Sequence, residues 1–391
     1  MSRGRLLFVI LSVVLVTGLL AGSLLGAASS RGDSGERSLF KYLSVFTEVL
    51  SLIRQAYVDE TAVDALLTGA LDGAADALDP FSLYVPAAQT ERYAAARAMG
   101  SGRSGLLVLK ERGMPYVASV WEGSPAAAAE VEVGDLIAEV DGESTRLLPL
   151  WELHTRLAGA PGTKVELEMI RRGEPRQVTL ELADTRPPAP VMTEREGVGY
   201  LRIPIFDAQT AAQTRAALTT PAAQAQRKLL VDLRGVGGGE GARGYDVARL
   251  LVEGELGALV GREGEISKFE GATPVWKGDI VVLMDRGTLG AAELLATVLR
   301  QKAGAKLVGE RSFGYAGRQT LVELSSGARL QITDAFYTGP DRERIAEGLM
   351  PDERVDDRSR TFEERDTPLG ELIFQRGLRV LRAEEPVKKA A

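Results

Sequence analysis

Apolar residues in the first part of the chain recur at helical spacing. The periodic positions are Leu39, Phe40, Leu43, Phe46, Leu50 and Ile53. Their spacing of three and four residues predicts a helix with one apolar face. A second helical pattern covers Ala62–Leu78 and ends at the turn signal Asp79-Pro80, and a third, alanine-rich pattern covers Ala87–Ala98.

Short strand-like runs between Gly and Pro turns follow. They are Leu106–Leu109, Tyr116–Val120, Leu136–Val140, Val165–Ile170 and Gln177–Leu182. One helical stretch, Pro149–Leu157, interrupts them. The pattern predicts a compact α+β module, which the proline-rich linker Arg186–Pro190 closes.

After this linker, strand-like and helical segments alternate. The strand-like runs are Lys228–Leu233, Ile280–Met284 and Lys306–Gly309, and the helical ones are Thr210–Leu218, Asp246–Val252 and Ala291–Arg300. Alternation of this kind predicts an α/β domain with a largely parallel sheet covered by helices. Leu321–Leu324 and Ala328–Ile332 form a predicted hairpin.

An apolar run, Leu6–Ala28, follows Arg3 and Arg5 at the N-terminus. About 20 residues suffice for a helix to cross a bilayer, so the run predicts a membrane anchor. The flanking arginines favour a cytoplasmic N-terminus with the rest of the chain translocated. Because small residues follow, a cleaved signal peptide stays an alternative. A buried core helix is disfavoured because the run has no polar face.

Composition removes several chemistries. The 391 residues include 47 Lys+Arg and 54 Asp+Glu, no cysteine and a single histidine, His154. Disulfides, thiol nucleophiles and multi-histidine metal sites are therefore excluded, and we expect no cofactor and no metal. The mild acidity argues against nucleic-acid binding. His154, on a predicted helix far from the turns described next, is interpreted as a surface or groove-lining residue.

Two turns join a strand to a helix and could carry chemistry. The first, Gly235–Gly241, has the context of a phosphate-binding loop but lacks the lysine and hydroxyl of that motif. It is either a tight turn or a turn whose amides face a site. The second, Asp285–Glu293, has the context in which nucleophiles are mounted, yet its hydroxyl residue, Thr288, is better interpreted as a helix cap.

Ordered motifs along nearly the whole chain resemble the C-terminal processing (tail-specific) serine peptidases. The matching segments are FTEVLSLIRQAYVDE (46–60), LDPFSLYV (78–85, against LDPHSxY), SGLLVL (104–109), GSPAAAAEVEVGDLIAEVDGES (123–144), PGTKVELEMIRRG (161–173), YLRIPIF (200–206), VDLRGVGGG (231–239), GERSFGYAGRQ (309–319) and EGLMPD (347–352). The resemblance implies a crotonase-like α/β peptidase core with an inserted α+β PDZ domain. The expected organisation is an anchor or signal (1–30), a helical region (31–98), the PDZ domain (99–185) and the peptidase-like domain (186–391).

The catalytic positions depart from that family pattern. The nucleophilic serine of the family motif G-S-A-S-A-S-E aligns with Gly290, and the lysine general base of F-G-K-G-x-V-Q aligns with Tyr315. Gln319, which orients that lysine in relatives, is retained. The backbone amides of Gly238 and Ala291 match those that hold the oxyanion. Val236 stands where the family has asparagine.

These departures predict a pseudo-peptidase. Glycine cannot form an acyl-enzyme, and a phenol with an ordinary pKa of about 10 is a poor base near pH 7. Loss of such a nucleophile or base typically lowers kcat by about 10⁶. A relocated site would need Thr288 or Ser312 with Lys302 or Lys306, and Lys302 lies about 18 Å along the helix from Gly290.

The PDZ resemblance implies a separate binding function. The amides of Ser104, Gly105, Leu106 and Leu107 would hold the carboxylate of a peptide tail added to the sheet edge. The alternative is a PDZ domain that serves as a spacer. We therefore expect a single-pass protein of a bacterial inner membrane, with its bulk periplasmic, that binds C-terminal tails of exported proteins, pairs with an active relative, or self-associates. An active tail-cleaving endopeptidase and an assembly scaffold are the competing hypotheses.

Overall fold

The computed structural model describes residues 34–99, 103–111 and 113–383. The chain divides into two compact units, with the boundary between Ala70 and Leu71. In the first unit, helix α1 (Ser34–Ala56) covers the predicted periodic stretch. Helix α2 (Val63–Asp76) follows it. The predicted anchor, Leu6–Ala28, lies outside the described residues, and none of the helices described is long and apolar enough to span a membrane.

The second unit holds three sheets. Its helices are α3 (Thr90–Met99), α4 (Pro125–Ala128), α5 (Leu150–Leu157), α6 (Thr210–Leu218), α7 (Pro221–Ala225), α8 (Ala242–Ala248), α9 (Ala291–Ala303) and α10 (Leu369–Arg382). Its strands are β1 (Leu83–Val85), β2 (Leu106–Glu111), β3 (Met114–Val120), β4 (Leu136–Val140), β5 (Glu143–Ser144), β6 (Lys164–Arg171), β7 (Glu174–Glu181), β8 (Val191–Arg195), β9 (Val198–Arg202), β10 (Lys228–Asp232), β11 (Glu255–Gly261), β12 (Gly264–Glu270), β13 (Asp279–Met284), β14 (Lys306–Gly309), β15 (Gly317–Glu323), β16 (Arg329–Tyr337) and β17 (Glu353–Arg354).

The small sheet is the predicted α+β module. Its strands have the order β2-β3-β4-β6-β7, with β5 paired to β4, and all pairs are antiparallel. Helix α5 packs Leu153 and Leu157 into a core that also contains Val108 and Leu167. Strand β2 is at the edge of this sheet, so one side of its backbone has no strand partner.

The central sheet has the order β17-β14-β13-β10-β9-β8, and every pair except β8–β9 is parallel. Successive residues of its strands point to opposite faces. Val231 and Val282 lie in the core on the side of α8 and α9, whereas Leu230 and Val281 pack on the side of α10. Burial on both faces explains the continuous apolar runs in the sequence and confirms the predicted helix-covered parallel sheet.

One predicted helix was placed wrongly. The expected helix Asp246–Val252 is α8, which begins at Ala242 and ends at Ala248. The predicted range leaves out Gly244, and glycine disfavours helices. Gly244 is nevertheless required there, because a Cβ at this position would collide with the carbonyl oxygen of Ala291 on α9. Close packing of two helices therefore overrides helix propensity.

The outer sheet includes β1 and positions the turn that precedes this strand. Strand β16 pairs with β1, β11 and β15, and β12 extends the sheet beyond β11, all antiparallel. Strand β1 was not predicted. Its pairing with β16 holds the preceding turn in place, and the side-chain amide of Gln331 on β16 donates to the carbonyl oxygen of Phe81 at 2.7 Å.

Candidate active site

Residues that are far apart in the sequence converge on one cavity of about 170 Å³, here called the motif cavity. It is lined by Phe81, Leu107, Gly238, Gly239, Gly241, Leu289, Gly290, Tyr315, Ala316, Gly317 and Gln319. The structure thus brings together four of the five predicted catalytic and oxyanion residues, from both strand-to-helix turns and from the chain after β14. Ala291, the fifth, does not line the cavity and is fully buried as the first residue of α9.

Gly290 lies at the turn between β13 and α9, as predicted. Its φ of 65° and ψ of −116° are strained for any residue with a Cβ. A Cβ built at this position would meet only the carbonyl oxygen of Tyr315, at 3.9 Å. The turn therefore has space for a side chain pointing towards the cavity, and no side chain is present.

A buried carboxylate fixes this turn to the segment that carries Tyr315. Glu293 in the first turn of α9 is fully buried. Its Oε2 accepts the amides of Gly290 and Tyr315, both at 3.0 Å. Its Oε1 accepts the amide of Gly314 at 2.6 Å and the hydroxyl of Ser312 at 2.5 Å. Burial raises the pKa of Glu293, while these four hydrogen bonds act in the opposite direction.

Tyr315 occupies the position of the expected general base. Its ring stacks on Phe81 with centroids 4.5 Å apart, and Phe336 contacts it edge-on. Its Oη is 2.5 Å from Oγ1 of Thr333. Burial raises the pKa of the phenol well above its ordinary value. The side chain is therefore a neutral, packed phenol near pH 7.

Gln319 reaches the cavity from β15. The pairing of β15 with β16 shifts register between Arg318 and Gln319, and Gln319 lies opposite Thr333. Such a bulge re-aims the side chains that follow it. The retained glutamine is therefore present at the cavity beside the threonine that binds Tyr315.

The glycine-rich turn faces the site. Gly238 and Gly239 have φ values of 87° and 82° and line both the motif cavity and an adjoining cavity of about 440 Å³. No acceptor in the described part of the chain bonds their amides. Asp285 accepts the Gly235 amide at 2.8 Å, which ties this turn to the β13–α9 turn. Of the two open interpretations, the geometry favours a turn whose amides face a site.

The hydroxyls considered for a relocated site have structural partners. Thr288 is fully buried, donates to the carbonyl of Leu233 at 2.9 Å and accepts the amide of Asp285 at 3.0 Å. Ser312 donates to Glu293 and accepts the amide of Leu349 at 2.8 Å. Both therefore hold turns together. Lys302 lies near the far end of α9, close to Gly254.

The small sheet contacts the central domain at the same place. Leu107, predicted as a peptide-binding residue, also lines the motif cavity. Ser119 on β3 donates to the carbonyl of Gly235 at 2.7 Å. Ala118 on β3 packs against Leu289 in a small apolar cluster. The module is therefore seated on the two turns that form the candidate site.

Three of the four residues predicted to bind a peptide line a second cavity beside β2. A cavity of about 190 Å³, here called the groove cavity, is lined by Tyr93, Ala96, Arg97, Ser104, Leu106, Leu107, Val108, His154 and Leu157. Gly105 is the one predicted residue missing from this lining. Its backbone packs against Ser124, where a Cβ would collide. His154 lines the groove cavity, in agreement with its interpretation as a surface or groove-lining residue.

Sequence reasoning missed Phe81, Glu293 and Thr333. Phe81 stands where the quoted family motif has histidine, so the substitution itself is visible in the sequence. Its contact with Tyr315 is visible only in the structure. Glu293 matches the last residue of the family motif G-S-A-S-A-S-E, but no structural role was predicted for it. Within the described ranges, no group of three or more His, Asp or Glu side chains is arranged to hold a metal ion.

Comparisons with known proteins agree with this architecture. The family model described as Peptidase family S41 matches residues 197–355, and a PDZ domain model matches residues 116–171. The chain is 35% identical over 272 residues to a carboxyl-terminal-processing protease of Synechocystis, covering 66% of this chain and 63% of that relative, which is less than two thirds of it. It is 26% identical over 395 residues to the carboxy-terminal processing protease CtpA of Bacillus subtilis, covering 96% of this chain and 84% of CtpA.

A solved structure extends the likeness to the fold. The photosystem II D1 C-terminal processing protease superposes with a TM-score of 0.66 at 27% identity, covering 80% of this chain and 92% of that one. The mixed α/β peptidase fold and the PDZ domain are thus both matched. Residues 197–355 thus match peptidase family S41, and the chain as a whole is similar to the C-terminal processing peptidases.

Proposed function

We propose that this protein is a catalytically inactive member of its family that binds C-terminal tails without cutting them. One observation carries the proposal: position 290 is a glycine in the cavity on which the other motif residues converge. A nucleophilic residue must form the acyl-enzyme in a serine peptidase. Gly290 offers no atom for that bond.

The second member of the dyad supports the same proposal. Lysine serves as a base when burial lowers its pKa towards neutrality, whereas burial raises the pKa of a phenol. Burial raises the pKa of the Tyr315 phenol, and its hydroxyl forms a hydrogen bond with Thr333. Loss of a nucleophile or base costs about 10⁶ in kcat, or roughly 8 kcal/mol of barrier.

The residues that surround Tyr315 suit an aromatic side chain at this position. Phe81, which replaces the histidine of the family motif, stacks on the Tyr315 ring. Thr288 and Ser312 are buried and bonded to structural partners, so neither is available as a substitute nucleophile. An active endopeptidase, as the names of the relatives describe them, remains the competing function.

Location and architecture are part of the proposal. We place the chain in a bacterial inner membrane as a single-pass protein, through Leu6–Ala28, with the bulk periplasmic. The core is proposed to be crotonase-like, with domains at 31–98, 99–185 and 186–391. Partners would be exported proteins with accessible C-termini, an active relative, or a second copy.

The test is binding measured together with cleavage. The full chain in detergent micelles is titrated into a fluorescent peptide with a free apolar C-terminus, and the mixture is then analysed by mass spectrometry over hours. We expect saturable binding, loss of binding when the peptide is amidated, and no cleaved product. Binding with equal affinity to the amidated peptide would contradict tail recognition, and steady product formation would contradict inactivity.

A further inference from the structure

A further cavity, of about 720 Å³, lies at the edge of the central sheet where the parallel strands end, and is here called the strand-end cavity. Four adjacent parallel strands each bring a charged residue to its lining. Arg202 and Asp232 are the last residues of β9 and β10, and Asp285 and Glu310 directly follow β13 and β14. Ligands of parallel α/β sheets bind outside the carboxyl ends of the strands. Since the strand-end cavity shares no lining residue with the motif cavity, it is a separate candidate site.

Two of these four residues have their charges paired within the protein. Asp232 is buried and accepts Nε of Arg234 at 2.8 Å. Glu310 pairs with Arg286 at 3.0 Å. The arginine at the end of β9 and the aspartate after β13 are therefore the charged groups that remain for a ligand.

Arg202 and Asp285 are held at the two ends of one peptide group. The carbonyl oxygen of Arg234 accepts Nη1 of Arg202 at 2.8 Å, and the N–H of Gly235 donates to Oδ1 of Asp285 at 2.8 Å. Because the C=O and N–H of a trans peptide group point in opposite directions, standard peptide dimensions place Nη1 and Oδ1 about 7 Å apart. A cationic group and an acidic group are thus held at a fixed separation.

Each of these two side chains has a second polar atom without a protein partner. Arg202 uses Nε and Nη1 in its hydrogen bonds, and Asp285 accepts all of its hydrogen bonds on Oδ1. In the described part of the chain, Nη2 of Arg202 and Oδ2 of Asp285 bond no protein atom, and neither atom is sealed from solvent. Both residues are only partly exposed, and polar atoms in such places are normally paired. A ligand or water must therefore complete both groups.

Two other charged residues of the lining leave this gap open. Oε2 of Glu122 is 3.4 Å from Nε of Arg202, but the Glu122 side chain is 56% exposed, and such a pair is weak. Arg195 on β8 stacks its guanidinium on Phe374, and no carboxylate among the described residues pairs with it. It adds positive charge on the strand next to β9.

An α-amino acid matches both the charges and the separation. Its ammonium and carboxylate are about 3 Å apart, and a hydrogen bond of about 2.9 Å at each end lets the pair bridge a gap of about 7–8 Å. The ammonium would donate to Oδ2 of Asp285, and the carboxylate would accept Nη2 of Arg202. Val191, Leu369 and Ile373 line the same cavity and provide an apolar surface for the side chain.

We propose that the strand-end cavity binds a free α-amino acid with an apolar side chain. Asp285 holds the ammonium, Arg202 holds the carboxylate, and the apolar surface receives the side chain. This site is distinct from the tail-binding function proposed above and does not depend on it.

The test compares ligands that each lack one of the recognised groups. The full chain in detergent micelles is titrated by isothermal calorimetry with L-leucine, L-leucine amide and N-acetyl-L-leucine. L-leucine should bind with a Kd below about 1 mM. Each blocked ligand should bind at least about tenfold more weakly, because it loses one charge-assisted hydrogen bond. Glycine should also bind about tenfold more weakly, since it has no side chain for the apolar surface.

Three outcomes would overturn the inference. The absence of saturable heat with L-leucine up to about 10 mM would mean that the cavity holds only water. L-leucine amide binding as tightly as L-leucine would remove the role of Arg202. N-acetyl-L-leucine keeps the apolar end and the free carboxylate of a protein tail, so its binding as tightly as L-leucine would assign the heat to tail binding instead.

Variants locate the site on the chain. Arg202→Gln should weaken the binding of L-leucine about tenfold, whereas Arg286→Gln should change the Kd by less than about twofold. Arg286 is the matched control because it is an exposed arginine near the same strand ends, pairs with Glu310 and does not line the cavity. Equal effects of the two changes would contradict the assignment. Asp285→Asn should also weaken binding about tenfold, and if it does not fold, the blocked ligands on the wild type decide.

Discussion

Glu293→Gln tests whether one buried carboxylate holds the motif cavity together. The variant keeps the shape of the side chain but replaces one acceptor oxygen with an NH₂ group. If that group replaces Oε1, the Ser312 hydroxyl can turn to accept from it, whereas the Gly314 amide loses its acceptor. If it replaces Oε2, the amides of both Gly290 and Tyr315 lose theirs. The first arrangement is therefore preferred.

The expected loss of stability follows from the number of hydrogen bonds that Glu293→Gln removes. One buried amide without an acceptor costs about 1–3 kcal/mol, and the loss of charge from the remaining bonds adds about 1 kcal/mol. We expect a destabilisation of about 3 kcal/mol, which corresponds to a Tm lower by about 6–12 °C in a domain of this size. Differential scanning calorimetry and urea unfolding measure both quantities.

Glu310→Gln is the matched control. Glu310 pairs at 3.0 Å with Arg286, whose side chain is 52% exposed. A pair of this kind contributes at most about 1 kcal/mol. A Glu293→Gln variant that unfolds at the same temperature as Glu310→Gln would refute the role assigned to the buried carboxylate.

Three further predictions concern the neighbourhood of the site. Tyr315→Phe removes the bond to Thr333 and should cost about 1 kcal/mol in urea unfolding without changing tail affinity; a change in affinity would place the hydroxyl in the binding site. The Arg318 guanidinium lowers the pKa of Asp334 below its ordinary 3.8, so the ionised carboxylate stabilises the fold by at most about 1 kcal/mol. Asp334→Asn should therefore be less stable than the wild type above pH 3.8, and the difference in the free energy of unfolding should vanish as the pH falls through the pKa of the folded state. A pH-independent difference would contradict this. Gly237→Ala would place a Cβ 2.6 Å from Leu289 and 2.7 Å from Ser119, so it should destabilise by about 1–3 kcal/mol and speed limited proteolysis, and unchanged proteolysis would refute the tight packing.

The sequence predicts the central sheet well because its strands are buried on both faces. Lys228–Leu233 and Ile280–Met284 are continuous apolar runs bounded by turn residues, and both are strands in the structure. Helix α10 was missed, although Leu372, Ile373 and Leu378 have helical spacing and are buried. Its covering role depends on the sheet face that it packs against, which lies far away in the sequence.

The candidate site could be located from its motifs but not assembled. The order of motifs placed Gly238, Gly290 and Tyr315 near one another. The stacking of Phe81 on Tyr315 arises from the pairing of β1 with β16, which no local pattern indicates. The hydrogen bond between His154 and the Val108 carbonyl likewise depends on the packing of α5 against β2. Long-range pairing is therefore what sequence reasoning lacked.

The central claim is that Gly290 and Tyr315 leave the fold without a working dyad. The most direct measurement compares the full-length wild type with Gly290→Ser/Tyr315→Lys and with Gly290→Ala, each incubated with an unfolded protein that ends in an apolar tail. The account predicts no cleavage by the wild type or by Gly290→Ala, and cleavage by the double variant, since position 290 has room for a side chain. Wild-type cleavage at the same rate as the double variant, persisting after contaminating proteases are removed, would contradict it.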